Sequence, residues 1–114
     1  MPRTKTALLS SPPYLVENTL RRLGSNLRAA RLARNLRLDQ VAEKIGTGRR
    51  AVADAEKGRP GTAVAVYLAL LWTYDLMGPV SQLAAPATDA VGLASVARRE
   101  RARSSTSSDL DNDF

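Results

Sequence analysis

Apolar residues recur at helical spacing in a succession of short stretches. Val16, Leu20, Leu23, Leu27 and Ala30 advance in steps of four, three, four and three, which marks one face of a helix running from Tyr14 towards Arg34. Gly24-Ser25 interrupts the helix propensity without breaking the register, so this stretch is either one helix or two abutting ones, and Asn35 terminates it. Leu38, Val41, Ala42 and Ile45 place the next stripe on a helix of about two turns. Gly46 stops it, as a residue free to take positive φ does at a helix C-terminus. After Thr47, Gly48 is an acceptable N-cap for a further helix whose inward positions are Val52 and Ala55.

Beyond the Arg59-Pro60-Gly61 loop, Thr62 is placed to cap a run, Ala63 to Trp72, that has no polar side chain. A helix on the surface of a small monomer has a wet face. This one is therefore either wholly buried or offers a second apolar face to another subunit, and a symmetric dimer is the reading adopted. Val64, Tyr67, Leu68, Leu71 and Trp72 are its dimer or core positions. Tyr67, Trp72 and Tyr74 lie on the least basic part of the chain, which suits core or interface better than base stacking. Gly78-Pro79 ends the region, and Val80, Leu83 and Ala84 suggest a short turn. Thr88 or Asp89 caps a last helix with Val91, Leu93, Ala94 and Ala97 inward.

These elements predict an all-α protein, a small bundle of five to six helices. Residues 14–97 form its folded domain. Residues 1–13 contain Pro12-Pro13 and no sustained period, and read as a flexible arm carrying Arg3 and Lys5. Residues 98–114 read as a tail, first basic from Arg98 to Arg103 and then acidic through Asp109, Asp111 and Asp113. Its composition cannot support a core, so disorder is expected in the free protein, with Leu110 and Phe114 available to a partner.

Composition narrows the chemistry. The chain has neither histidine nor cysteine, which excludes zinc hydrolase chemistry, Ser/His/Asp catalysis and a disulfide framework. Its carboxylates are scattered over separate helices, so no acid/base pair assembles and no enzyme, metal or cofactor is expected. No apolar run reaches spanning length and no leader pattern opens the chain, so a cytoplasmic protein is expected. The net charge is +6, but its placement is more telling. Between Arg21 and Arg59 eleven lysines and arginines meet only Asp39, Glu43, Asp54 and Glu56, whereas residues 60–97 contain no basic residue. A phosphate-binding surface requires such a concentration.

The positive stretch coincides with one chemically distinctive helix face. Gly48, Arg49, Arg50, Ala53 and Asp54 point outward at the start of the helix after Gly48. Arginine bonds guanine bidentately, a carboxylate accepts from cytosine, and small residues permit close approach to a major groove. Arg49, Arg50, Ala53 and Asp54 are the candidate base-reading residues. Asp54, four residues after Arg50, either reads a base or orients Arg50. Arg28, Arg34 and Arg37, with Gly48, are candidates for the DNA backbone.

Helix, glycine turn and basic second helix, with Leu36, Val41-Ala42, Gly46, Val52, Glu56 and Gly58 in register, resemble the helix-turn-helix of the Cro/C1-type (XRE) repressors. The resemblance implies a lambda repressor-like fold, binding of double-stranded operator DNA as a homodimer, and backbone contacts by Lys57 and Arg59. It also implies an ion pair between Arg31 and Glu56 that braces the first helix against the end of the third, the alternative being two surface charges. The chain departs from the family where Ser or Thr and then Gln usually open the second helix, because Arg37 and Leu38 stand there. The lost cap costs on the order of 1 kcal/mol, offset in part by Asp39 at the positive end of the helix dipole. Arg37 is left to take the phosphate contact, and Leu38 to join the core.

The order of the later segments, a Gly58–Thr62 loop, an apolar helix and a basic last helix, is similar to the HipB-like antitoxins encoded beside HipA-like kinases. Over residues 15–103 that likeness implies a repressor of its own toxin-antitoxin operon that also binds a kinase toxin. Two alternatives are an interaction module that chiefly neutralises the kinase and a stand-alone XRE-type regulator without a toxin.

Overall fold

Six α-helices and no strand occur among residues 6–112, which the structure, a computed structural model, describes, with side chains placed for residues 6–105. They are α1 (Ala7–Ser10), α2 (Tyr14–Ala33), α3 (Leu38–Ile45), α4 (Arg49–Glu56), α5 (Val64–Thr73) and α6 (Ala90–Asn112). The expected all-helical bundle is the architecture found. The chain divides after Gly78 into two compact units.

In the first unit α4 packs on both α2 and α3, and α5 touches α3 and α4. Leu27, Val41, Ala42, Val52, Ala55, Tyr67, Leu70 and Tyr74 are buried between them, with Leu20, Leu23, Leu36, Leu38 and Ile45 packed around the edge. Leu38 thus joins the core rim. Val16 does not, since it is exposed and the buried stripe of α2 begins only near Leu20, where α4 comes within reach.

Helix α2 is continuous through Gly24. The glycine that weakens its propensity is the place where α4 comes closest. A Cβ at Gly24 would lie 2.5 Å from the Ala55 carbonyl oxygen and 2.7 Å from the Gly58 nitrogen. Gly58 answers it from the other side. Its φ of 69° turns the chain sharply after α4, and a Cβ there would run into the Leu20 carbonyl.

The turn between α3 and α4 is Gly46-Thr47-Gly48. Gly46 has φ 78°, as expected of a left-handed stop, and Thr47 N–H donates to the Ala42 carbonyl at 2.9 Å. Helix α3 opens with a partial cap. Gln40 Oε1 accepts from Arg37 N–H at 2.8 Å, the reciprocal half of a capping box, while the guanidinium, having no acceptor, cannot take the first-turn N–H that a Ser or Thr cap would. Helix α5 starts at Val64 with Ala63 at its N-cap, one residue later than a Thr62 cap requires.

The apolar helix α5 has two faces. Tyr67, Leu70 and the following Tyr74 point inward, while Val64 and Trp72 stand 70% and 65% exposed with half-buried Leu68 between them at the same four-residue spacing. Val64 and Trp72 are therefore excluded from the core of their own chain.

The second unit, from Pro79, contains two 3-10 turns, Val80–Gln82 and Pro86–Thr88, and α6. Residues 79–97 fall with this unit. Asp89 caps α6 as expected, its Oδ1 accepting from Gly92 N–H at 3.0 Å. Val91, Leu93, Ala94 and Ala97 are exposed, contrary to the expected inward packing, since the three-residue turn Pro86–Thr88 on which α6 packs is too short to cover them. Two segments expected to be irregular carry helix. One is α1, inside the N-terminal arm. The other is α6, which continues from Ala90 through the basic run to Asn112, where helix-forming Ala, Arg and Glu follow the cap without a Gly or Pro after Gly92. Arg3, Lys5 and Phe114 lie outside the described residues, and Leu110 lies beyond the described side chains.

Candidate nucleic-acid interface

Arg31 and Glu56 hold the two ends of the reading unit. Arg31 Nε donates to Glu56 Oε2 at 2.7 Å and Nη2 to Oε1 at 3.0 Å, while Nη1 reaches the Leu36 carbonyl at 2.9 Å. Their side chains are only 9% and 6% exposed, so this is the buried brace and not a pair of surface charges. The hydrogen bond to Glu56 also holds the guanidinium's pKa above its ordinary value. One side chain of α2 thereby fixes both the C-terminal end of α4 and the segment entering α3.

At the start of α4, Arg49 and Arg50 are exposed, and the Arg50 side chain is 94% open to solvent. Gly48 has an ordinary extended conformation and open space where a side chain would be, so the approach to these arginines is unobstructed. Ala53 is half-buried beside Asp54. Arg37 and Arg49 line one groove, together with Asp39, whose Oδ1 lies 3.3 Å from Arg37 Nε. Arg28 is exposed on α2.

Asp54 is turned towards arginines. Its Oδ1 is 3.2 Å from Arg59 Nε and its Oδ2 is 4.0 Å from Arg50 Nε. Both of its carboxylate oxygens thus face arginines of its own chain. Its nearer partner is Arg59, because the left-handed turn at Gly58 brings the chain back over the last turn of α4. Arg59 N–H donates to the Asp54 carbonyl at 3.1 Å, and Tyr67 Oη donates to the Arg59 carbonyl at 2.9 Å. Burial pushes the Tyr67 phenol above its ordinary pKa. Tyr67 thus anchors the loop that presents Arg59, a role that nothing in its apolar surroundings in the sequence signals. Lys57 is exposed at the C-cap of α4 and shares a groove with Arg21 and Arg59.

Arg34 is exposed and also makes contacts within its own chain. Its Nη1 donates to the Ala30 carbonyl and its Nη2 to the Tyr74 carbonyl, each at 2.9 Å, with its guanidinium carbon 5.3 Å from the Tyr74 ring centre. It clamps α2 to the end of α5. Among the described residues no three acidic side chains gather as a metal site, and no helix is long and apolar enough to cross a membrane.

A family profile described as a helix-turn-helix domain matches residues 22–84, more than half of the chain. The chain belongs to the helix-turn-helix domain family. No curated protein and no solved structure matches it. The matched span holds α3, α4 and the turn between them, and nearly all of the side chains that brace this helix-turn-helix protein. It ends short of α6.

Proposed function

We propose that this protein is a sequence-specific DNA-binding transcriptional repressor of the Cro/C1 (XRE) type, with α4 as the helix that enters the major groove. The observation that carries this reading is the unobstructed, exposed Arg49–Arg50 pair at the start of the second helix of a braced helix-turn-helix. Arg49 and Arg50 read bases. Asp54 orients Arg50 and Arg59. Arg28, Arg37, Lys57 and Arg59 hold phosphates, and the open backbone at Gly48 lets a strand come close. Arg49→Ala or Arg50→Ala is expected to cost about 1–3 kcal/mol on operator DNA and to relax specificity, whereas Lys57→Ala weakens all sequences alike and lowers the salt slope by about one for each chain bound. Anisotropy titrations on operator and shuffled DNA check this, and equal losses on both DNAs for all three variants would contradict these roles.

The protein acts as a homodimer in this reading, through the Val64–Leu68–Trp72 face of α5. A bulky indole exposed beside apolar neighbours is typical of surface awaiting a subunit. Trp72→Glu is expected to give a monomer by sedimentation while retaining the helical spectrum, and a variant dimer as tight as the parent would place the interface elsewhere.

The order of segments extends the proposal to an autoregulating HipB-like antitoxin of a type II toxin-antitoxin operon, with a HipA-like kinase as its second partner. Retention of the neighbouring gene's product in co-purification, reduced by deletion of residues 110–114, is the expected result. A chain that never retains that product is a stand-alone regulator.

A further inference from the structure

The arginines of α6 have no part in the helix-turn-helix. Arg98, Arg99, Arg101 and Arg103 fall within six positions whose one acid is Glu100. All four side chains are exposed, and no ion pair involves them among the described residues, where every salt bridge lies between residues 17 and 59. Because α6 is a continuous helix here, Arg98 and Arg101 share one side and Arg99 and Arg103 another. Each pair sets like charges on adjacent turns, which disfavours the helix until an anion neutralises them.

The pattern also constrains the anion. The apolar residues Val91, Leu93 and Val96 occupy the first two turns and the arginines the next two, so no apolar stripe runs beside the charges. A groove on an acidic protein reads a face. A polyanion needs only charge density, and arginines spread around a helix supply it. We infer that the Arg98–Arg103 segment of α6 is a second DNA-binding element, which holds phosphates of the same DNA that the helix-turn-helix reads. This rests on the DNA-binding proposal above. Covalent continuity with the reading unit supplies the high effective concentration that makes such individually weak contacts count. Since phosphates carry no base identity, the element adds affinity and salt dependence and leaves sequence preference alone.

The test compares the full chain with two variants on upstream and shuffled DNA between 50 and 200 mM salt, helix content being followed by circular dichroism. One variant changes Arg98, Arg99, Arg101 and Arg103 to Gln, and the other changes them to Lys. With about three phosphates held by each chain of the dimer, the Gln variant is expected to have a slope of log affinity against log salt shallower by roughly 5. Over that salt range the parent then loses roughly a thousand-fold more affinity than the Gln variant. The ratio between the two DNAs stays unchanged, and the Lys variant keeps the parental slope. A Gln variant with the parental slope overturns the proposal, and loss of a co-purified protein in that same variant would assign the arginines to a protein partner instead. Failure of the underlying reading looks different. The parent itself then binds both DNAs equally and Arg50→Ala changes nothing.

Discussion

Replacing Glu56 with alanine is expected to cost about 3–5 kcal/mol of stability, a large part of what a domain of this size possesses. The change leaves the Arg31 guanidinium buried with only the Leu36 carbonyl as partner, after loss of bonds of 2.7 and 3.0 Å to a carboxylate that was itself almost wholly enclosed. Most of the cost is the stranded charge and not the intrinsic strength of the pair. Removing both charges, in Arg31→Met with Glu56→Leu, is therefore expected to recover most of the loss in urea unfolding. A single-variant loss below about 1 kcal/mol, the range of solvent-exposed pairs, would show that the side chains are not held as described. Function should fall with stability, because the same guanidinium locates the end of α4 and the entry to α3.

Gly58→Ala is expected to cost roughly 3 kcal/mol, from two sources. The left-handed φ of 69° penalises any Cβ by about 1–2 kcal/mol. The new methyl group also meets the rigid backbone of α2 at Leu20, and overpacking of that kind costs about 1–3 kcal/mol. Gly46 separates the two. Its φ is 78°, yet a Cβ there has open space, so Gly46→Ala should show only the first penalty. Unfolding midpoints of the two variants provide the comparison. Equal losses would mean that α2 and α4 do not approach as closely at Gly58 and Gly24 as their backbones indicate.

The helix-turn-helix was readable in the sequence because its signals are local. Apolar spacing defines α3, a glycine ends it, and small and basic residues open α4. Local rules also predicted α2, but not which of its residues are buried. Val16 continues the stripe of Leu20 and Leu27 and is nevertheless exposed, since no partner helix extends that far. Gly24 looked like a defect in a helix and is instead the contact point for another. Charge was legible in sign but not in assignment. Arg34 has the charge required for phosphate and also donates to two carbonyls, one of them forty residues away at Tyr74. Arg50 is the helical neighbour of Asp54, yet Arg59 comes nearer because the chain reverses at Gly58. Such choices depend on where the chain returns after a helix ends, which no window of a few turns contains. The end of α6 posed a different difficulty, since a composition too polar for a core proved compatible with a continued helix after a good cap.

The most direct test of DNA reading by α4 is fluorescence anisotropy of the full chain on its own upstream DNA and on a shuffled control across a salt series. Tight binding to the upstream sequence, at least about a thousand-fold stronger than to the control and with a steep salt slope, is the result predicted for a specific repressor. Equal, weak binding to both DNAs would contradict it, leaving a braced, basic helical protein whose exposed arginines serve something other than sequence.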